Sequence, residues 1–326
     1  MAGGKERVLK RRIKSVESTK KITRAMEMIA TSRIVKAQQR VAAARPYSEQ
    51  ITNVIRSLAA AGAGSGNALL AEREEVRNVA FVVMTADRGL AGGYNSSVLR
   101  AAERAMKEEM AAGRGIVLVL VGKKARDYFR FRGYTIDAGF TGMSDSPTYE
   151  DARTVATEVM TRFDAGEVDR VELVNTQFFS VGTQKVSLRQ FMPIEAEAVT
   201  EAPEAPRADY EFEPSAEGIL DRLLPRYAEA RLFAALLDSA ASEHAARQRA
   251  MKSATDNAEE LVKVLARQMN RARQESITTE ILEIVGGAEA LAAAASGDVD
   301  LLRDRMEDPD LFRHATRHLD RREQRH

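Results

Sequence analysis

The densest set of chemistry-bearing residue types in the chain is Thr85-Ala86-Asp87-Arg88-Gly89-Leu90-Ala91-Gly92-Gly93-Tyr94-Asn95. It follows an apolar, β-branched run and precedes a helical stretch. A glycine-rich strand-to-helix turn can hold a phosphate on the free N–H groups of the helix. However, the spacing is not GxGxxG, and the Gly-Lys-Ser/Thr of a P-loop is absent. A structural tight turn with glycine at positive φ is the stronger reading. Gly122-Lys123-Lys124 also follows a strand-like run, but with no glycine-rich loop before it, and it predicts a helix start.

Hydrolytic chemistry finds little material. The chain has four His and no Cys, which excludes a thiol nucleophile, a disulfide framework and a Cys-ligated metal. His244 falls on a helix seam, where a polar seam residue is a better reading than one member of a Ser/His/Asp set. His314 and His318 stand four apart and could share a helix face toward a metal. Without a carboxylate motif such as HExxH, a surface pair is the stronger reading.

A basic helix face is more informative: Lys10, Arg11, Arg12, Lys14, Lys20, Lys21, Arg24, Arg33, Lys36 and Arg40. Charge alone would allow nucleic acid. No Phe, Tyr or Trp lies between 1 and 46 to stack on a base, so nucleic acid ranks third. An acidic protein sleeve and a merely solvated face stand level.

These groups need positioning elements, and the composition bounds them. The 326 residues, 44% hydrophobic, suffice for one large domain or two ordinary ones, with a core that needs no metal or disulfide. Lys+Arg 49 against Asp+Glu 48 leaves a net charge of +1, which excludes a uniformly basic coat. The cancellation is between zones. Residues 1–60 hold fourteen Lys/Arg and four Asp/Glu, and 194–217 hold eight acids against Arg207 alone. No run of 18 or more apolar residues is present, and the first residues are charged and lack an apolar signal region. A soluble, intracellular protein is expected.

Residues from roughly 6 to 60 read as one long helix, with Leu9, Ile13, Val16, Ile22, Met26 and Ile29 in one stripe. Ile34, Ala37, Val41, Ala44, Ile51, Ile55 and Leu58 follow in a second phase, shifted by one position near residue 30. Pro46 predicts a kink within it, and the glycines of 62–67 its end. Val79–Met84, Ile116–Val121, Val171–Thr176 and Val186–Phe191 read as strands, the first two buried on both faces. Helical stretches near 95–112, 123–132 and 148–165 alternate with them, which predicts an α/β sheet domain. An acidic linker over 194–216 leads to a second very long helix, about 217 to 286, with Pro225 near its start. Its seam runs through Ala216, Ile219, Leu223, Arg226, Ala230, Phe233, Leu237, Ala240, His244, Arg247, Met251, Ala254, Ala258, Leu261, Leu265, Gln268 and Ala272. Two heptad helices that bracket a compact domain can pair antiparallel, with polar far ends that suggest surrounding protein. The expected fold class is therefore α/β: a long antiparallel coiled coil of the N- and C-terminal helices with a Rossmann-like α/β domain inserted between them. Its segments are 1–62, 77–212, 217–290 and a charged extension over 291–326.

Three stretches resemble one known family. Lys21-Ile22-Thr23-Arg24-Ala25-Met26-Glu27-Met28-Ile29-Ala30-Thr31-Ser32-Arg33, followed by Arg45-Pro46-Tyr47, resembles the N-terminal helix of the γ subunit of F-type ATP synthases. Thr85 to Asn95 resembles its SDRGLCGGYN turn, with Ala91 where many members carry Cys. Asn270-Arg271-Ala272-Arg273-Gln274-Glu275-Ser276-Ile277-Thr278-Thr279-Glu280 with Glu283 to Ala288 is similar to its C-terminal signature. The resemblance covers about residues 1 to 291.

The resemblance implies a non-catalytic rotating central stalk, bacterial in type, that couples proton flow through a membrane ring to ATP synthesis on β. It implies the α3β3 hexamer, the ε subunit and the rotor c-ring as partners, no cofactor, catalytic residue or metal, and no nucleic acid. It places the chain on the cytoplasmic face of the cell membrane, as a peripheral protein with no transmembrane segment. Carried over by motif, Met26 lies against the β lever, and Arg273, Gln274 and Thr278 meet the β catch. Arg33 and Lys36 face acidic β residues. The chloroplast-type Cys-bearing insert is absent, so thiol control of that kind is not expected. Residues 292–326 extend beyond the family's usual end, as a tail or short surface helix, with an effect on rotation or hydrolysis as the sharper alternative. A coiled-coil adaptor outside any motor is the runner-up, and a nucleotide-binding enzyme built on Thr85–Asn95 comes third.

Overall fold

The structure, a computed structural model, describes residues 2–60, 67–71, 73–194, 213 and 215–295. Among the described residues, five helices and five strands follow in the order α1 (Ala2–Ala60), β1 (Asn78–Met84), α2 (Tyr94–Ala111), β2 (Gly115–Val121), α3 (Lys123–Phe131), β3 (Ala138–Phe140), α4 (Tyr149–Asp164), β4 (Arg170–Phe178), β5 (Gln184–Met192) and α5 (Ala216–Ala295). The described part of the expected 62–67 helix stop begins only at Asn67. Of the acidic linker, 195–212 lie outside the described residues, as do 296–326 of the charged extension.

The chain divides into two compact units, Met1–Ser18 with Ala258–His326, and Thr19–Asn257. The larger holds a five-stranded sheet in the order β3-β2-β1-β4-β5. β1 pairs parallel with β2 and β4, β2 pairs parallel with β3, and only β5 runs antiparallel to its neighbour. Alternate strand residues face opposite layers. Val79, Phe81, Val83, Leu118, Leu120 and Val174 pack on α2 and α3. Ala80, Val82, Met84, Val119, Val121 and Leu173 face a second cluster. That cluster is closed by α4, by Ile51, Ile55 and Leu58 of α1, and by Leu220, Leu224, Leu232 and Leu236 of α5. The uninterrupted β-branched runs follow from this double coverage. β3 escapes sequence reading: Ala-Gly-Phe is three residues long and has no period.

The helical seams differ from expectation. In the Thr19–Asn257 unit, Ile22 and Ile29 are 61% and 54% exposed, while Thr23 and Ala30 are buried. The four-three spacing then continues through Ile34, Ala37, Ile51, Ile55 and Leu58, all buried. The expected phase shift near residue 30 is therefore absent. Residue type misled the reading, because the narrow contact prefers small or hydrogen-bonded side chains to larger apolar ones. On α5, Arg226 is exposed where a seam residue was expected, and Thr255 is buried where Ala254 is only partly so. In the smaller unit, Leu9, Ile13 and Val16 are half-buried on α1. Ala258, Leu265, Ala272 and Ser276 are buried on α5, whereas the expected Leu261 and Gln268 are exposed.

Pro46 and Pro225 both lie inside continuous helices. α5 also runs on through Gly286 and Gly287 to Ala295, past the expected end at 286. Its far end is not polar: Ile277, Ile281, Leu282, Ile284, Val285 and Leu291 are all exposed.

Candidate functional site: a polar joint between the long helices and the sheet

Within the Thr19–Asn257 unit, the Thr85–Asn95 turn lies between the sheet and α5. Thr85 extends the β1 ladder, its N–H donating to the Val121 carbonyl at 2.9 Å. Its hydroxyl donates to the same carbonyl at 3.1 Å and accepts from the Ala125 N–H at 2.9 Å. Gly122, at φ 94, makes room for this contact, since a Cβ there would sit 2.2 Å from the Thr85 carbonyl oxygen. Gly122-Lys123-Lys124 is accordingly the start of α3.

Asp87 gathers the neighbouring loops. Its carboxylate accepts from the N–H groups of Lys123 at 3.0 Å, Gly142 at 2.8 Å and Ser144 at 3.2 Å. Its own N–H donates to the Ser144 hydroxyl at 2.8 Å, and the Ala86 N–H donates to Asn95 Oδ1 at 2.9 Å. Two amides at the start of the turn are thus already engaged inside the protein. Leu90 at φ 62 and Gly92 at φ 55 close a tight turn against α5. This is the structural reading of the motif.

The α5 side of the joint is charged and buried. The Arg247 guanidinium donates to Glu243 Oε1 at 2.5 Å and to the Gly89 carbonyl at 3.3 and 3.4 Å. His244, 2% exposed, sets Nε2 3.0 Å from the Asp145 carbonyl oxygen and Nδ1 3.5 Å from Arg247. A carbonyl only accepts, so Nε2 carries the proton and Nδ1 faces the guanidinium with a lone pair. Burial lowers the His244 pKa, against the favourable Asp145 backbone contact, which fits the neutral ring. The Asp145 carboxylate reaches α1 through an ion pair with Arg33, and the Ser146 hydroxyl accepts from Arg40 at 2.6 Å. Burial raises the Glu243 pKa in the first place, with Arg247 opposing, and also raises that of Tyr94, with Glu243 adding to it. One continuous polar chain thus runs from α1 through the Asp145 loop and α5 to the Thr85–Asn95 turn.

Of the residues carried over by motif, Met26 is partly buried, Lys36 is exposed, and Arg33 keeps 37% of its side chain accessible while it holds Asp145. Arg273, Gln274 and Thr278 are exposed on α5 in the smaller unit. His314 and His318 lie outside the described residues. Sequence reading missed Asp145 and the Glu243–Arg247 pair as parts of a site. The available signal was a charge placed on an otherwise Ala-rich seam, which demands a partner.

Residues 5–291 match the family model described as ATP synthase. The "ATP synthase gamma chain" of Frankia casuarinae is 53% identical over 298 residues, covering 89% of this chain and 99% of that one. The fold is similar to that of a chain in the Euglena gracilis mitochondrial ATP synthase, OSCP/F1/c-ring in rotational state 3. The TM-score is 0.61 at 18% identity, over 90% of this chain and 96% of that one. A chain of the Tetrahymena thermophila mitochondrial ATP synthase central stalk and c-ring gives a TM-score of 0.55 at 22% identity, over 72% of this chain and 99% of that one.

Proposed function

The chain belongs to the ATP synthase γ-chain family, and from that premise we propose how it works as the rotating central stalk of the F1 sector. The observation that carries the reading is the far end of α5. Residues 277–294 are all exposed, and six large apolar side chains lie among them. At 1.5 Å per residue this is roughly 27 Å of helix. An exposed apolar surface of that kind calls for an enclosing partner, and the α3β3 head supplies one.

Catalysis resides on β, and this chain contributes differential contacts. A turning asymmetric surface favours a different β conformation at each angle, which shifts nucleotide affinity without new chemistry. Met26, Lys36, Arg273, Gln274 and Thr278 are assigned to β contact. Arg33 joins them only with the part of its guanidinium that Asp145 leaves open. The α/β domain meets ε and the membrane c-ring. No described helix is long and apolar enough to cross a bilayer, which suits a peripheral protein on the cytoplasmic face of the cell membrane.

Detergent-solubilised membranes provide the test. A tagged chain should carry α, β, ε and ring subunits with it, together with ATPase activity. Recovery of the chain alone, or with partners that lack ATPase activity, would favour a coiled-coil adaptor instead.

A further inference from the structure

Apolar seams resist separation far better than sliding, because burial is non-directional. The α1–α5 contact is largely small and apolar, with Ala30, Ala37, Ala240 and Ala241 buried along it. Such a surface would yield under twist. At the joint the chain instead buries charges. Glu243 and Arg247 are 1% and 7% exposed; the Arg247 guanidinium bonds both Glu243 Oε1 and the Gly89 carbonyl of the turn, so Glu243 reaches the turn only through Arg247. A buried ion pair is weak evidence for stability, since apolar replacements of similar volume are often neutral or stabilising. What directional bonds do supply is one angular setting. The bonds here reach separate elements: Arg247 to the Gly89 carbonyl, His244 to the Asp145 carbonyl, and the Asp145 carboxylate to Arg33 of α1. Together they triangulate the helix pair against the sheet.

We propose that Glu243, His244 and Arg247, with Asp145 and the Gly89 carbonyl, form a torque joint: positioning residues that fix the angle of the α/β domain on the helix pair, so that rotation of one drives the other. The proposal rests on the rotor reading.

The test uses the assembled complex in inverted membrane vesicles. The paired replacement Glu243→Leu with Arg247→Met keeps volume and removes both charges, so no unpaired ion remains to unfold the chain. The complex should assemble and hydrolyse ATP, while protons pumped per ATP hydrolysed fall several-fold. A staple then separates mechanics from folding. A Cβ at Gly92 would lie 3.6 Å from the Ala250 Cβ, within the span of a disulfide. The chain has no cysteine of its own, so Gly92→Cys with Ala250→Cys gives a single defined bridge. Added to the uncharged joint, it should restore pumping when oxidised and lose it again with dithiothreitol. Each sample serves as its own control for any strain at Gly92. A wild-type pumping ratio in the uncharged joint, or a formed bridge that restores nothing, would overturn the proposal. If the wild-type chain fails to co-purify with ATPase activity, it is the rotor reading that falls.

Discussion

Thr23 Oγ1 of α1 and Thr255 Oγ1 of α5 lie 2.8 Å apart, buried at the contact of the two long helices. The Thr255 hydroxyl donates to the Met251 carbonyl at 2.8 Å and can therefore accept from Thr23. The same Thr23 hydroxyl stands 3.0 Å from the Lys20 carbonyl, so each threonine keeps a local partner if the other is removed. Thr23→Val and Thr255→Val should each destabilise the full chain by about 0.5–1.5 kcal/mol. The double variant should cost less than the sum. A double-mutant cycle by urea unfolding checks this, and strict additivity would mean that the hydroxyls do not interact.

Gly122 and Gly142 both adopt positive φ, 94° and 92°, but only Gly122 faces backbone. Alanine at Gly142 meets nothing within 4 Å and should cost only the left-handed strain of about 1–2 kcal/mol. Alanine at Gly122 adds a Cβ 2.2 Å from the Thr85 oxygen, so the β1–α3 junction must move. Its destabilisation should clearly exceed that at Gly142, measured by denaturant midpoint on both variants.

Glu103 accepts from Tyr128 at 2.6 Å and from Arg132 at 2.6 and 3.1 Å. These bonds, Tyr128 first, hold its pKa down at about 2, against 4.5 for the free group. A depressed carboxylate stabilises above its unfolded pKa, and the contribution is lost as pH falls through the folded value. Glu103→Gln should therefore flatten the loss of stability between about pH 4.5 and 2. An unchanged pH slope would contradict the assignment.

Asp238 of α5 has the opposite sign. Burial pushes its pKa up to about 6, with Arg189 and Arg45 only partly opposing. The charged form is the unfavourable one, so its cost is absent below about 3.8, grows through 6 and is complete above. Asp238→Asn should stabilise the chain at pH 7.5 by roughly 1–3 kcal/mol. The gain should vanish near pH 4, as thermal unfolding at both pH values would show.

The large apolar side chains at the end of α5 are exposed. Ile281→Lys with Ile284→Lys should leave the stability of the isolated chain within about 0.5 kcal/mol. The same pair should sharply reduce recovery of α and β with the chain, because the charges would enter a dry sleeve.

Much of the sheet was legible, since double coverage writes itself as unbroken β-branched runs at Val79–Met84 and Ile116–Val121. Ala138–Phe140 was not, because three residues carry no period. The long helices were legible in extent but not in rotation. Ile22 and Ile29 drew the seam one position away from Thr23 and Ala30, where small or hydrogen-bonded side chains fit better than larger apolar ones. The joint was half visible. His244 and Arg247 stood out as polar interruptions of a seam, but their partners lie 99 and 158 residues away, and no local pattern encodes such a pairing.

The same separation bears on how the molecule is made. Thr23 meets Thr255 across 232 residues of chain. At ribosomal speeds of about 5–20 residues per second, the first helix emerges roughly 10–50 s before its mate. Until α5 emerges, the cluster that Ile51, Ile55 and Leu58 join with the sheet and α4 lacks Leu220, Leu224, Leu232 and Leu236. Nascent chains should therefore depend on a holding chaperone until synthesis is nearly complete, and truncation before residue 255 should leave them captive to it.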